Sequence, residues 1–409
     1  MQNPEDTNKP ANHGGKSVRL HYIDWLRLLA TAGVFLYHAT RPFDLQDWMI
    51  KNAEQSIVVT VFFLIFLGSW GMPLFFLMAG ASSMFALKRR TGRQFTRERT
   101  SRLVVPFIIG SLLLTPFQVY IEWIHNGWYE GPFLEFIPTF IESLPGPAFS
   151  ELFNPSIFET YGIHLWFLGF LFSFSIIALP LFLWFKKDAG KRFISRLADV
   201  WERRGGIFLF IIPVMLVRFI LHPLYPEYTS WSDFTYYLVF FVYGFLIYSD
   251  ERFMRVIRRD WKLALILGIS STLVIFTVAA AGLAMEWYSN SEILGFYIGW
   301  GLISVNGWCW VIVVMYVASR ILDFRNKWLE YGQEAILPFY VFHQPVIFAI
   351  TFYVVQWDAG ILVKIPLVVL SSFAATLCLH EFIVRRVKPL RVLFGMKSKL
   401  ERAGGGDSK

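Results

Sequence analysis

Apolar residues in this chain come in runs of about twenty, divided by short polar connections and not arranged as amphipathic stripes. A helix of that length reaches across the ~30 Å hydrocarbon core of a bilayer. Inside lipid every backbone N–H and C=O needs an internal partner, which leaves helices as the natural way to fold such runs. The chain therefore reads as all-α and polytopic. Ten transmembrane helices are expected, at roughly 23–42, 57–87, 104–122, 165–185, 207–222, 234–249, 261–283, 294–319, 335–356 and 361–383. The second is long enough to tilt or to break near Gly68–Pro73. Only 17% of the 409 residues are charged, below the ~25% of soluble domains.

The connections test that count. Those at 88–102, 186–204, 250–262 and 320–330, with the tail 385–402, hold 29 Lys and Arg. Those at 43–56, 122–163, 223–233, 284–293 and 357–360 hold one, Lys51, against fourteen Asp and Glu. Strict alternation of this kind predicts that both termini are cytoplasmic and assigns the net charge of +8 to membrane orientation. Nucleic acid is not an expected partner; membrane lipid is. The polar first twenty residues carry no signal-peptide pattern. Residues 1–18 are expected to be disordered, 19–390 to form the membrane domain, and 391–409 to be a basic cytoplasmic tail. The stretch 186–204 suits a basic surface helix, and the acidic connection 122–163 is long enough to cover an external opening. Cys309 and Cys378 both fall in apolar spans and read as small buried hydrophobes, so neither a disulfide framework nor a thiolate metal site is expected.

Ionisable groups inside spans are costly and mark functional sites. Arg27 and His38 lie eleven residues apart on the first span. Eleven steps make about three helical turns, so the two share a face, with Asp24 about 40° away. Arg27 would lie near the cytoplasmic surface with Asp24 as its partner. His38 would sit about 16 Å further along the axis, past the midplane. Burial disfavours an imidazolium, and the neutral ring is the form that a general base or nucleophile requires. The plain alternative is that Arg27 snorkels and His38 is an ordinary interhelical histidine.

Other polar groups reach similar depths. Gln118 and Glu122 share a face near the outer end of the third span. His164 and Trp166 open the fourth span at the outer boundary, where an interfacial role in the aromatic belt is the plain alternative. His343 lies deep in the ninth span and is followed by Gln344-Pro345. Arg218 and His222 close the fifth span, where snorkelling explains both. On the cytoplasmic side Arg89, Arg90, Arg99 and Arg102 belong to a loop of seven basic residues. Positive-inside topology alone would account for that loop, yet Arg99 and Arg102, three apart, could receive a phosphorylated ligand. No Gly-rich phosphate loop, His-Glu-x-x-His or Gly-x-Ser-x-Gly is present.

At these residues the chain resembles the acyltransferase 3 family of integral membrane acyltransferases. The resemblance runs in order through Asp24-Trp25-Leu26-Arg27, Arg27-x10-His38 and Met72-Pro73-Leu74-Phe75-Phe76. It continues through Arg99-x-x-Arg102, His164-Leu165-Trp166-Phe167-Leu168 and Tyr340-Val341-Phe342-His343, covering about residues 20–390. The aromatic-rich spans and the Phe394-Gly395-Met396-Lys397 tail are most similar to its glucan-succinylating branch. The resemblance implies transfer of an acyl group, succinyl or acetyl, from cytoplasmic acyl-coenzyme A to a hydroxyl of an extracytoplasmic glycan, at a bacterial inner membrane. His38 would be the catalytic histidine, Arg27 its motif partner and His343 a further catalytic-site histidine. Arg99 and Arg102, with Arg89 and Arg90, would serve the donor. By their own depth, not by the resemblance, Gln118, Glu122, His164 and Trp166 would face the acceptor. Acyl-coenzyme A is the expected co-substrate, with no permanently bound cofactor and no metal. The soluble second transfer module of some relatives is not expected here.

Two readings from other classes stay open at this level. One is a transporter or flippase for a glycan or lipid-linked sugar, with His38 and His343 as a proton relay; the absence of a visible internal repeat weighs against it. The other is a scaffold in polysaccharide synthesis, for which His38 would be dispensable.

Overall fold

The computed structural model describes residues 20–144 and 153–396, and among them it is helical with no strand. The expected disordered N-terminus, and the tail from residue 397, lie outside the described residues. In chain order the helices are α1 (His21–Thr40), α2 (Ile57–Arg89), α3 (Gly92–His125), α4 (Phe133–Ser143) and α5 (Ile157–Ile177). They continue with α6 (Leu179–Phe185), α7 (Asp188–Trp201), α8 (Gly206–Leu221), α9 (Trp231–Ile247) and α10 (Glu251–Ala280). The last are α11 (Ala284–Ser289), α12 (Leu294–Ile321), α13 (Lys327–Val354), α14 (Ile361–Val384) and α15 (Lys388–Leu393). Among the described residues seven are long and apolar enough to cross a membrane: α2, α3, α5, α10, α12, α13 and α14. The shorter apolar α8 and α9, and the charge-bearing α1, fall where the three other expected spans lie.

Without a hydrophobic drive between helices in lipid, close backbone contact holds them together. Helices α2 and α9 meet this way. A Cβ on Gly80 would stand 1.8 Å from the Phe241 carbonyl oxygen, and one on Gly244 would stand 1.8 Å from that of Leu77. Only glycine at both positions admits the approach. A buried polar cluster ties α2, α10 and α12. Ser69 Oγ donates to Asn306 Oδ1 at 2.7 Å, while Asn306 Nδ2 donates to Thr272 Oγ1 at 2.7 Å and to Ser271 Oγ at 3.0 Å.

Three expectations change. The second span does not break near Gly68–Pro73: Thr60–Leu67 is π-helical and passes without interruption into the α-helical Gly68–Arg89. The π turns absorb the extra length that a break would have taken up. Arg218 does not snorkel. It is buried, with Nη1 2.7 Å from Asp233 Oδ1 and 3.1 Å from Ser232 Oγ, and its guanidinium lies 4.1 Å from the Tyr236 ring centroid. Having a carboxylate partner inside the bundle makes burial possible where a lone arginine would reach for water. Cys378 is exposed on the outer face of α14, whereas Cys309 is buried.

The basic stretch 186–204 does fold as a helix, α7, which buries Ile194, Ala198 and Trp201. Arg252 at the start of α10 anchors it through Asp199 and Ser195.

Candidate active site

Residues far apart in sequence converge on His38. Its Nδ1 lies 2.9 Å from Nε2 of His343, and the His164 ring centroid is 6.4 Å away. The local sequence explains how α13 builds this site. Pro345 has no N–H, so the carbonyl of Val341, four residues earlier, loses its helical donor. Nε2 of His164 takes that donor's place at 3.0 Å. His164 sits in a tight turn within α5, after Ile163, a β-branched residue held at φ 48°. Such backbone strain persists only where surroundings enforce it. The Tyr340 hydroxyl, bonded to the His164 carbonyl, is part of that enforcement.

These contacts fix the protons. A carbonyl can only accept, and Nδ1 of His343 lies 2.5 Å from the Tyr340 carbonyl oxygen, so that nitrogen carries the hydrogen. In the neutral ring Nε2 of His343 is then an acceptor, and Nδ1 of His38 must donate to it. Nε2 of His38 is left with the free lone pair. The same logic places the His164 proton on Nε2 and leaves its Nδ1 as a lone pair, which is buried without a hydrogen-bond partner. A helix-borne relay, Tyr340 C=O to His343 to His38, thus presents one basic nitrogen in a defined direction.

His38 and His164 line a cavity of about 290 Å³ with Tyr37, Trp166, Tyr228 and Tyr237. Trp48, from the connection after α1, lies parallel to His38 with centroids 6.4 Å apart. That connection is clamped by Asp44, which takes Arg41 at 2.5 Å and Lys51 at 3.0 Å. Tyr228 is held on the cavity wall by its neighbour Thr229. Thr229 adopts φ 59°, and its N–H donates to Asp233 Oδ2 at 2.9 Å. The buried Arg218–Asp233 pair therefore shapes this wall of the cavity.

A second cavity, of about 520 Å³, lies at the basic end of the bundle and is lined by Arg27, Arg99 and Arg102. A π-helical turn at Thr100–Val104 interrupts α3 directly after Arg99 and contains Arg102, and both arginines line the cavity. Arg99 is fixed by Ser83 Oγ at 3.0 Å and by the Phe95 ring at 5.0 Å. The acidic groups in the same wall have basic partners: Asp24 with Arg27 at 3.9 Å, Glu330 with Arg325 at 2.6 Å and Glu334 with Arg391 at 3.5 Å. Phe75, Phe167 and Tyr340 line both cavities and so form the partition between them.

Of the residues expected from sequence, His38, His164, His343 and Trp166 come together, and Arg27, Arg99 and Arg102 come together elsewhere. Arg89 and Arg90 lie outside the arginine-lined cavity, and Arg90 pairs with Glu98 at 2.7 Å. Gln118 and Glu122 line neither cavity; Gln118 is buried and donates to the Leu114 carbonyl at 3.2 Å. Phe75, Phe167 and Tyr340 stand in the motifs quoted above without a role assigned to them, and nothing in the sequence singles out Tyr228 or Trp48. Pro345 signals only a spare carbonyl at Val341, the one His164 takes, and does not point to Tyr340.

A family model described as an acyltransferase domain matches residues 20–380. The chain belongs to the acyltransferase 3 family. It is a multi-pass membrane acyltransferase, transferring groups other than amino-acyl groups. Similar proteins include the glucans biosynthesis protein C of Salmonella typhimurium, of Salmonella heidelberg and of Salmonella typhi. Each is 23% identical over 403 residues, covering 94% of this acyltransferase and 96% of the relative. No solved structure matches it. Family membership answers the transporter and scaffold alternatives in favour of an enzyme.

Proposed function

We propose that this acyltransferase has ten spans with both termini in the cytoplasm of a bacterial inner membrane. There it moves an acyl group from acyl-coenzyme A to a hydroxyl of an extracytoplasmic glucan or other glycan. The observation that carries the reading is the His343–His38 contact, which leaves a single directed lone pair on His38 Nε2 inside a cavity.

The donor's phosphates engage Arg27, Arg99 and Arg102, guanidiniums suited to bidentate phosphate contacts. Its thioester arm crosses the Phe75–Phe167–Tyr340 partition. The acceptor hydroxyl attacks the thioester carbonyl as His38 Nε2 takes its proton. The new C–O bond forms, the C–S bond breaks, and the proton passes to the departing thiolate. His343 is the positioning residue that orients His38, while His164 Nδ1 accepts a hydrogen bond from a sugar hydroxyl. A buried lone pair without a donor costs about 1–3 kcal/mol, and such a hydroxyl removes that cost. Trp166 and Tyr228 offer faces for sugar stacking.

The test is ester content of extracellular glycan in a deletion strain complemented with wild type or His38→Ala at matched membrane levels. Restoration by wild type alone is expected. Equal restoration by His38→Ala would remove His38 from the chemistry.

A further inference from the structure

The cavity containing His38 has two unlike ends. Beside the histidines it is walled by tyrosines. Away from them it runs between Leu26, Leu29 and Val34 of α1 and Leu67, Gly68 and Met72 of α2. The stretch from Leu26 to His38 covers about 18 Å of helix. Among the described residues, no Lys, Arg, Asp or Glu lines this cavity. The guanidinium one turn beyond His38, that of Arg41, is 8% exposed and already bound to Asp44 and to the Asp47 carbonyl.

An acyl group bearing a carboxylate would enter this space with no cation to pair with, which burial strongly disfavours. An aliphatic chain gains instead, by about fourfold in affinity for each methylene taken from water. The apolar end from Val34 back to Leu26, about 12 Å of helix, also lies away from the histidines and tyrosines that would hold the acceptor, and acetyl would not fill it. We infer, resting on the acyl-coenzyme A reading above, that the acyl group presented to His38 is an uncharged aliphatic chain longer than acetyl, lying along α1 against Gly68. Succinyl is excluded by its charge.

Gly68 supplies the test. A Cβ there meets nothing within 4 Å, so a larger side chain projects into free space without displacing backbone. Thermal stabilisation of the purified full chain is measured with coenzyme A and its acetyl, butyryl, hexanoyl, octanoyl and succinyl thioesters, for wild type and Gly68→Leu. Coenzyme A itself should stabilise both proteins. In wild type the half-saturating concentration should fall about fourfold per added methylene until the cavity is filled, and succinyl-coenzyme A should bind no better than coenzyme A. In Gly68→Leu the gain from hexanoyl and octanoyl should vanish. A flat series, tightest binding by the succinyl thioester, or a chain-length gain untouched by Gly68→Leu would overturn the inference and leave the donor reading standing. Octanol alone reproducing the Gly68→Leu-sensitive stabilisation would assign the cavity to bilayer lipid and overturn it too. Failure of coenzyme A to stabilise wild type would bring down the donor reading itself, and this inference with it.

Discussion

His38 and His343 stand 305 positions apart in sequence, yet Nδ1 of one lies 2.9 Å from Nε2 of the other. Because His343 is itself pinned to the Tyr340 carbonyl, that contact can have only one direction in the neutral pair. Removing the acceptor should free the His38 ring to turn. His343→Ala is expected to lower acyl transfer by roughly 10²-fold, at the lower end of what a positioned base supplies. His343→Gln, whose Oε1 can accept from His38, should recover part of it. Initial rates with membrane levels matched decide this; equal activity in all three proteins would rule out an orienting role.

Pro345 gives a second test, because its effects on stability and activity should part. Pro345→Ala restores a backbone N–H that competes with His164 for the Val341 carbonyl. The melting temperature should hold or rise, since alanine suits a helix interior better than proline. Acyl transfer should nevertheless fall as His164 loses its anchor. A variant as active as wild type would show that the anchor does not matter.

On the donor side, Arg99→Ala and Arg102→Ala should abolish stabilisation by coenzyme A. At a hundred times the dissociation constant a ligand contributes about 2.7 kcal/mol, a shift readily seen in a melting curve. Arg90→Ala, at a residue outside the cavity and paired with Glu98, should keep the full shift. Loss of the shift in Arg90→Ala but not in Arg99→Ala would reverse the assignment.

The α2–α9 crossing should tolerate no side chain. Gly80→Ala or Gly244→Ala forces a methyl group onto a backbone carbonyl, and overpacking of this kind costs about 1–3 kcal/mol or more. The expected outcome is a lower melting temperature and reduced membrane levels. Gly68→Ala, facing open space, should leave both near wild type and serves as the control.

Asp250 caps α10, its Oδ1 accepting from the Arg252 backbone N–H at 3.0 Å. Hydrogen bonding from the Arg252 side chain, opposed by partial burial, holds its carboxyl below the usual range. A depressed folded pKa means that the native state favours the ionised form. The stabilisation is therefore complete above the unfolded value of about 3.9 and is lost as pH falls through the folded one. Asp250→Asn keeps a capping oxygen but loses the Arg252 ion pair, and should lower stability at neutral pH by about 0.2–1 kcal/mol, discounted for exposure. The gap from wild type should close in acid, and a gap independent of pH between 3 and 7 (about one unit either side) would exclude the carboxylate as its source.

The sequence by itself determined the helical membrane class, the common face of Arg27 and His38, and the spacing of the arginine pair Arg99 and Arg102. These follow from helical periodicity and from the cost of charge in lipid, which are local properties of a chain. Periodicity states which residues share a face but not what that face meets. Gln118 and Glu122 shared one and still fall outside both cavities, and Arg218 looked like a snorkelling residue until Asp233 supplied a buried partner. The meeting of His38, His164 and His343, the proton assignment it imposes, and the aromatic partition between the cavities were decided by tertiary structure alone. Each depends on hydrogen bonds and packing between helices distant in sequence, whose strength turns on distances of a few tenths of an ångström that no spacing of residues encodes.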